Sequence, residues 1–287
     1  MKRKNLFLAY CFILLVVIIY GCTNESDNVA ISSDGIKISF DIQGEGNPAL
    51  VFVHGWSNNR SIWVEQVAHF SKKYKVIAID LPGFGKSGNN RQKWTMATFG
   101  EDVATVINKL DLNQVVLVGF SMGAPVVIEA AMRMPDHITG LVLVDHLQDV
   151  EMKYSSEVIS YLDSIYMDIV TAPTLEKMKP LFRKNKEESF KRVLSMVNNV
   201  PKIGWRESLN DIFRWENDDF IESLTKIQVP IIAINSDQKP TNVEGFRKYV
   251  SSFKAKIIPN VGHVVFWDAP KEFNRLLEES IQEFINR

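Results

Sequence analysis

Short apolar runs alternate with amphipathic stretches along most of the chain. Residues 49–53, 76–79 and 115–118 are apolar runs of strand length bounded by polar or turn-forming residues. Between them, residues 98–110 carry apolar side chains at helical spacing. This alternation of strands with helices is typical of a mainly parallel sheet that helices cover on both faces.

The alternation of predicted strands with helices stops near residue 147 and resumes near residue 229. The residues between contain no convincing strand, and a segment of this length without secondary structure would be unusual in a compact domain. The helices predicted there are 155–167, 175–182, 187–198 and 207–215. We therefore predict a doubly wound α/β core formed by residues 29–146 and 226–287, with residues 147–225 inserted as a helical lid between two strands.

The first 21 residues have the pattern of a targeting signal. A basic Lys2-Arg3-Lys4 precedes an apolar stretch, which ends in Ile19-Tyr20-Gly21-Cys22. This resembles a bacterial lipoprotein signal, in which residues 1–21 are removed and Cys22 carries acyl chains such as palmitate. Residues 22–28 would then be a tether, and the protein would be lipid-anchored in the cell envelope, on the periplasmic face or in the outer membrane. An uncleaved anchor and a plain secretory signal are the alternatives.

Charge and cysteine content narrow the range of partners. The chain has 33 basic and 34 acidic residues, a net charge of −1, and this balance gives no reason to expect a nucleic-acid partner. The only cysteines are Cys11 and Cys22, so the body beyond them has no disulfide. No Cys or spaced Asp/His cluster favours a metal, and we expect neither a metal nor a cofactor. The oligomeric state has no signature in the sequence.

Ser121 is the leading candidate for a nucleophile. It lies in Gly119-Phe120-Ser121-Met122-Gly123, directly after an apolar run and before a stretch that favours a helix. A serine on a sharp strand-to-helix turn has a strained backbone, and its neighbours two residues away must lack bulk for the turn to close. The alternative is a tight turn whose serine only caps the helix.

His263 and an aspartate are candidates to complete a triad with Ser121. His263 lies between the last predicted strand and the terminal helix, and an imidazole can take and return a serine proton near neutral pH. The histidine needs a carboxylate to hold its tautomer. Asp237 and Asp145 each follow a predicted strand. We favour Asp237 because it follows the strand after the lid, and we keep Asp145 as the alternative acid.

An oxyanion hole is predicted from two amides. The N–H of Met122 directly follows the candidate nucleophile, and the N–H of Trp56 belongs to the His54-Gly55-Trp56 loop after the buried run 49–53. His54 itself is predicted to fix this loop. A metal held by His54 and His146 is the alternative role.

These motifs together resemble the α/β-hydrolase fold family, in its lidded single-domain branch. The resemblance spans about residues 35–286 and includes the loop of residues 80–87, Asp-Leu-Pro-Gly-Phe-Gly-Lys-Ser. It implies a Ser-His-Asp hydrolase without a cofactor. Dehalogenases and epoxide hydrolases of this fold use an aspartate nucleophile, whereas Ser121 implies acyl transfer.

The resemblance implies a serine esterase that acts on a small, fairly apolar ester, lactone or related acyl compound through an acyl-Ser121 intermediate. Phe120, Trp205 and Trp215 are candidate substrate-binding residues, although the lid tryptophans could instead pack the lid onto the body. Two alternative functions are a cofactor-free haloperoxidase or perhydrolase and a ligand-binding lipoprotein without turnover.

Overall fold

The computed structural model describes residues 28–178, 187–198 and 204–286. The predicted signal peptide, Cys22 and the tether as far as residue 27 lie outside the described residues, and Asn28 begins the first strand. Among the described helices, none combines the length and apolar character needed to cross a membrane.

Strands and helices follow one another in the predicted order. The strands are β1 (Asn28–Ile31), β2 (Lys37–Gln43), β3 (Ala49–Val53), β4 (Val76–Asp80), β5 (Val115–Phe120), β6 (Ile138–Val144), β7 (Ile231–Ser236) and β8 (Lys254–Ile258). The helices are α1 (Val64–Phe70), α2 (Met96–Lys109), α3 (Gly123–Arg133), α4 (Ser156–Thr171), α5 (Leu175–Met178), α6 (Glu187–Asn198), α7 (Trp205–Asp218), α8 (Phe220–Lys226), α9 (Val243–Arg247), α10 (Val265–Asp268) and α11 (Pro270–Ile285). A 3₁₀ turn, Arg60–Trp63, leads into α1.

The eight strands form one sheet in the order β1-β2-β4-β3-β5-β6-β7-β8. The β1–β2 and β2–β4 pairs are antiparallel, and every later pair is parallel. Every residue of β3, β4 and β5 is buried, as expected when helices cover both faces of a sheet. The predicted mainly parallel α/β fold is therefore confirmed, and the strand ends that could carry a site lie at the carboxyl edge of its centre.

Helices α4 to α8 lie between β6 and β7 in the chain, in the segment for which a helical lid is predicted. Helix α7 is fixed to the body by two fully buried tryptophans. The indole N–H of Trp205 donates to the carbonyl of Gly83 at 3.2 Å, and that of Trp215 donates to Glu129 Oε1 at 2.7 Å. These contacts hold the inserted helices against the carboxyl edge of the sheet. The proposed lid boundaries, residues 147–225, stay a prediction.

Asp80 organises the loop that follows β4. Its buried carboxylate accepts hydrogen bonds from the backbone N–H groups of Arg60 and Lys86, and it forms a 2.6 Å ion pair with the Arg60 guanidinium. Gly85 has a φ of 53°, and a Cβ there would lie 2.2 Å from the Asp80 carboxylate, so only glycine fits. The loop is thereby held beside β3 and its functional end.

We expect Asp80→Ala to lower the free energy of unfolding by about 3 kcal/mol, because it leaves the Arg60 guanidinium buried without its closest partner. Asp168→Ala is the matched control, because Asp168 is 61% exposed and pairs with Lys177 at the surface. Its cost should stay below about 1 kcal/mol. Urea unfolding of both variants measures the difference, and equal costs would contradict a supporting role for Asp80.

Candidate active site

Ser121 occupies the strained turn that the sequence predicts. Its φ is 50°, in the left-handed region, and it lies between the last residue of β5 and the start of α3. A Cβ on Gly119 would lie 2.2 Å from the carbonyl oxygen of Gly123, and a Cβ on Gly123 would lie 2.5 Å from that of Val53. Both glycines are therefore required by close backbone approach. The turn presents Ser121 to a cavity at the carboxyl edge of the sheet.

His263 lines the same cavity, and its orientation is fixed by Asp145. His263 Nδ1 lies 2.7 Å from Asp145 Oδ2, while the backbone N–H of Ser236 donates to Asp145 Oδ1 at 2.6 Å. The Phe120 ring packs against the imidazole at a centroid distance of 4.8 Å. Because Nδ1 faces the carboxylate, Nε2 is the nitrogen left to act on a serine or a substrate.

The electrostatic setting of Asp145 favours its charged form. Burial raises the pKa of this carboxyl, but the hydrogen bond and charge of His263, together with bonds from Ser236, outweigh burial and hold the pKa below its usual 3.8. Asp145 therefore stays ionised beside the imidazole at neutral pH.

The preference for Asp237 as the acid is wrong in this geometry. Asp237 lies one residue beyond β7, is exposed, and accepts a hydrogen bond from the backbone N–H of Asn260 at 3.1 Å. Asp145 likewise lies one residue beyond its strand, β6, and β6 lies directly between β5 and β7. Its φ of 48° turns the chain at that point, and its carboxylate meets His263. The alternative acid of the sequence analysis is thus the one that contacts the histidine.

His54 fixes the loop after β3, as predicted. Its Nδ1 lies 2.8 Å from the carbonyl oxygen of Gly55, and its Nε2 accepts from the backbone N–H of Leu81 at 3.0 Å. Burial lowers the pKa of His54, so the ring is neutral and donates from Nδ1. Both nitrogens are therefore occupied, and the alternative of a metal bound by His54 and His146 has no support in this geometry.

The two predicted oxyanion donors belong to segments next to Ser121. Met122 directly precedes the first residue of α3, and Trp56 lines the cavity. A Cβ on Gly55 would lie 3.0 Å from Ser121 Cβ, which shows how closely this loop approaches the serine. The Trp56 indole N–H donates to the backbone oxygen of Trp205 at 2.8 Å, so the loop also contacts the inserted helices. The amide roles of Trp56 and Met122 stay predictions.

The cavity above Ser121 has two arms. Both are lined by Ser121, His146, Tyr166, Phe213 and His263. The further lining of the apolar arm includes Trp56, Phe120, Ile169, Val193, Val197 and Ile212. The further lining of the polar arm includes Asp149, Tyr154, Glu216, Gln238 and Lys239. The site can therefore hold chemically different groups on its two sides.

The predicted substrate-binding residues have different outcomes. Phe120 lines the apolar arm. Trp205 and Trp215 line neither arm, so their assignment to the pocket is wrong and the packing alternative holds. Trp205 stacks on Phe84 at a centroid distance of 5.6 Å. The large buried surface of these indoles and their N–H partners in the body explain this position.

Several other residues that line the cavity were not predicted from the sequence. Val193 and Val197 face the cavity from α6, and Glu216 and His146 contribute polar groups. The apolar pair was recognisable only as the inward face of an amphipathic helix, which does not distinguish packing from ligand contact. His146 entered the sequence analysis only as a possible metal ligand, and Glu216 has no motif around it.

A family comparison agrees with this arrangement. The sequence model described as alpha/beta hydrolase fold matches residues 48–270. The chain belongs to the alpha/beta hydrolase fold family. The match includes Ser121, Asp145 and His263, the three residues that the structure gathers around one cavity.

Named relatives of this alpha/beta hydrolase differ in reaction. It is 24% identical to epoxide hydrolase 3 of Xenopus tropicalis, over 89% of this chain and 77% of that protein. It is 26% identical to a protein of a Synechocystis strain provisionally named non-heme chloroperoxidase, over 88% of this chain and 97% of the other. A thermophilic esterase from Thermogutta terrifontis, solved with malate bound, has a TM-score of 0.76 at 22% identity, covering 90% of this chain and 98% of its own. The last comparison shows a shared fold.

We expect the ionised Asp145 carboxylate to stabilise the folded state, and we expect this stabilisation to be lost at low pH. The pKa of Asp145 is lower in the folded state, so this contribution is present above the unfolded value of 3.8 and is lost as pH falls through the folded pKa. The difference in unfolding free energy between wild type and Asp145→Asn should therefore shrink from about pH 5 to about pH 3. Urea unfolding at each pH measures it, and a difference that stays constant or grows would contradict the assignment.

Proposed function

We propose that this alpha/beta hydrolase cleaves carboxylic esters, lactones or related acyl compounds through an acyl-Ser121 intermediate. The observation that carries the proposal is the 2.7 Å contact of His263 Nδ1 with the buried carboxylate of Asp145, in a cavity that Ser121 also lines. A serine in a strained turn beside an oriented imidazole is what nucleophilic catalysis requires.

The proposed reaction has two steps. His263 Nε2 takes the proton of Ser121 as its oxygen attacks the carbonyl carbon, and Asp145 stabilises the imidazolium that forms. The N–H groups of Trp56 and Met122 hold the negative oxygen. His263 then protonates the departing alcohol, and the acyl group stays on Ser121. In the second step His263 takes a proton from a water molecule as the water oxygen attacks the acyl carbon. The bond to the Ser121 oxygen then breaks, His263 returns the proton to that oxygen, and the acid leaves.

The identity of the nucleophile favours acyl transfer over epoxide opening. The resemblance to this fold family implies an aspartate nucleophile for epoxide hydrolases and a serine nucleophile for acyl transfer. Here Ser121 occupies the turn, and the similarity to epoxide hydrolase 3 therefore supports the fold and the hydrolytic class rather than that substrate. The apolar arm supports an acyl group without charges.

The alternative function is a reaction of the same acyl-enzyme with hydrogen peroxide as the second nucleophile. Hydrogen peroxide would take the place of water and release a peracid, with the same return of the proton to Ser121 through His263. The similarity to the Synechocystis protein named as a chloroperoxidase favours keeping this alternative.

Lipid anchoring through Cys22 in the cell envelope also remains a proposal, independent of which reaction occurs.

Wild-type protein should be labelled covalently by a fluorophosphonate, because the reagent reports a serine activated by a base. Ser121→Ala should remove the label completely, and mass spectrometry of the wild type should locate the adduct on Ser121. Ser57→Ala is a suitable control, because Ser57 lines the same cavity but has no proposed role in bond making. A wild type that resists the label would favour a binding protein without turnover.

Asp145→Asn should lower kcat/KM for a short-chain ester by about 10⁴-fold, since the amide no longer holds the reactive tautomer of His263. Asp237→Asn should lower it by less than about three-fold, because Asp237 contacts the Asn260 backbone. The two variants are matched in chemistry. A larger loss in Asp237→Asn than in Asp145→Asn would reverse the assignment of the acid.

A further inference from the structure

A buried carboxylate faces the polar arm of the cavity. The Glu216 side chain, on α7, is 9% exposed, and its Oε1 lies 2.9 Å from Nε2 of His146, the residue after Asp145. The proposed acyl transfer uses neither residue. A buried charge is costly unless it is paired, so a carboxylate held in a substrate cavity calls for a partner.

The partners of Glu216 within the protein leave hydrogen-bonding capacity open. Despite their 2.9 Å separation, Glu216 Oε1 and His146 Nε2 are buried atoms for which no well-directed hydrogen bond exists among the described residues. The Tyr154 hydroxyl hydrogen-bonds the Glu216 side chain, and burial first and Glu216 second raise the pKa values of Tyr154 and Tyr166. Glu216 is therefore a buried acceptor that lines the polar arm, with the Tyr154 hydroxyl and the His146 imidazole beside it.

The backbone around Glu216 is held by other groups. Tyr154 N–H donates to Asn217 Oδ1 at 2.9 Å, and Asn217 Nδ2 donates back to the Tyr154 carbonyl at 2.9 Å. Trp215 is fixed by Glu129. These bonds anchor α7 without the Glu216 carboxylate, and a carboxylate can accept more hydrogen bonds than the Tyr154 hydroxyl and His146 supply.

The two arms distinguish the halves of an ester. The lining peculiar to the apolar arm, which includes Trp56 and Phe120, favours an acyl group on that side. The leaving group then extends past His263 into the polar arm. The acidic groups that face this arm are Asp145, Asp149 and Glu216, and the basic groups are Lys239 and the two histidines. Asp145 is paired with His263, which leaves two acidic residues, Asp149 and Glu216, and two basic residues, Lys239 and His146, along this arm. Of these four residues, Glu216 is the one that is buried.

We propose that Glu216, with His146 beside it, forms a subsite for a leaving group that carries a protonated amine, and that this subsite disfavours a carboxylate. The proposal rests on the acyl-transfer function and adds the class of alcohol that the substrate contains. An ammonium N–H would donate to the Glu216 carboxylate in a charge-assisted hydrogen bond. A carboxylate at the same position would face the like charge of Glu216.

Three butyrate esters of similar leaving-group size test this subsite: propyl, 2-(dimethylamino)ethyl and 2-carboxyethyl. Wild-type kcat/KM should be about ten-fold higher for the amine ester than for the propyl ester, and lowest for the carboxylate ester. The rates must be compared after correction for the intrinsic hydroxide lability of each ester. A carboxylate ester that matches or exceeds the amine ester would overturn the proposal without any variant.

Glu216→Gln identifies the residue responsible. The corrected preference for the amine over the propyl ester should fall about ten-fold. Glu222→Gln is the matched control, because Glu222 is 70% exposed on α8 and pairs with Lys226. An unchanged amine preference in Glu216→Gln would overturn the assignment to Glu216.

The result also separates this proposal from the proposed function. If wild type hydrolysed none of the three esters and resisted fluorophosphonate, the acyl-transfer function itself would fail. If it hydrolysed propyl butyrate and was labelled at Ser121 but showed no amine preference, only the Glu216 subsite would fail. If Glu216→Gln did not fold, the wild-type ranking of the three esters would still decide.

Discussion

The close approach of backbone segments around Ser121 is the constraint on which the site depends. Gly119 and Gly123 let the end of β5, the start of α3 and the end of β3 pack within distances that a Cβ would not allow. This packing holds Ser121 at a positive φ, and such strain persists only where the surroundings determine it. Everything else in the site is positioned relative to that turn.

The inserted helices give the turn its chemical surroundings. Trp205 and Trp215 fix α7 to the body, and Tyr166 and Phe213 then close over the serine. The wall formed by α6 is held differently: Arg192 pairs with Glu65 at 2.7 Å and lies over the Trp267 ring at 5.5 Å. That ion pair is partly exposed, whereas the two tryptophans of α7 are fully buried.

The sequence allowed prediction of the fold, the serine turn and the histidine, because each depends on local pattern. Alternating apolar runs specify strands, and the two glycines specify the turn at Ser121. The acid was not predictable in the same way. Asp145 and Asp237 both follow strands, and only the order of β6 and β7 in the sheet, with the turn at Asp145, brings one of them to His263. Glu216 depends on how α7 packs, and no local pattern carries that information.

The position of the acid before the inserted helices has a consequence for how such chains diversify. Ser121 and Asp145 come from neighbouring strands, β5 and β6, and both precede the insertion. An exchange of the segment between β6 and β7 for a shorter, longer or unrelated one would therefore leave the spacing of the proposed nucleophile and its proposed acid untouched. The cavity lining that the inserted helices supply can therefore change during evolution while Ser121 and Asp145 keep their relative positions.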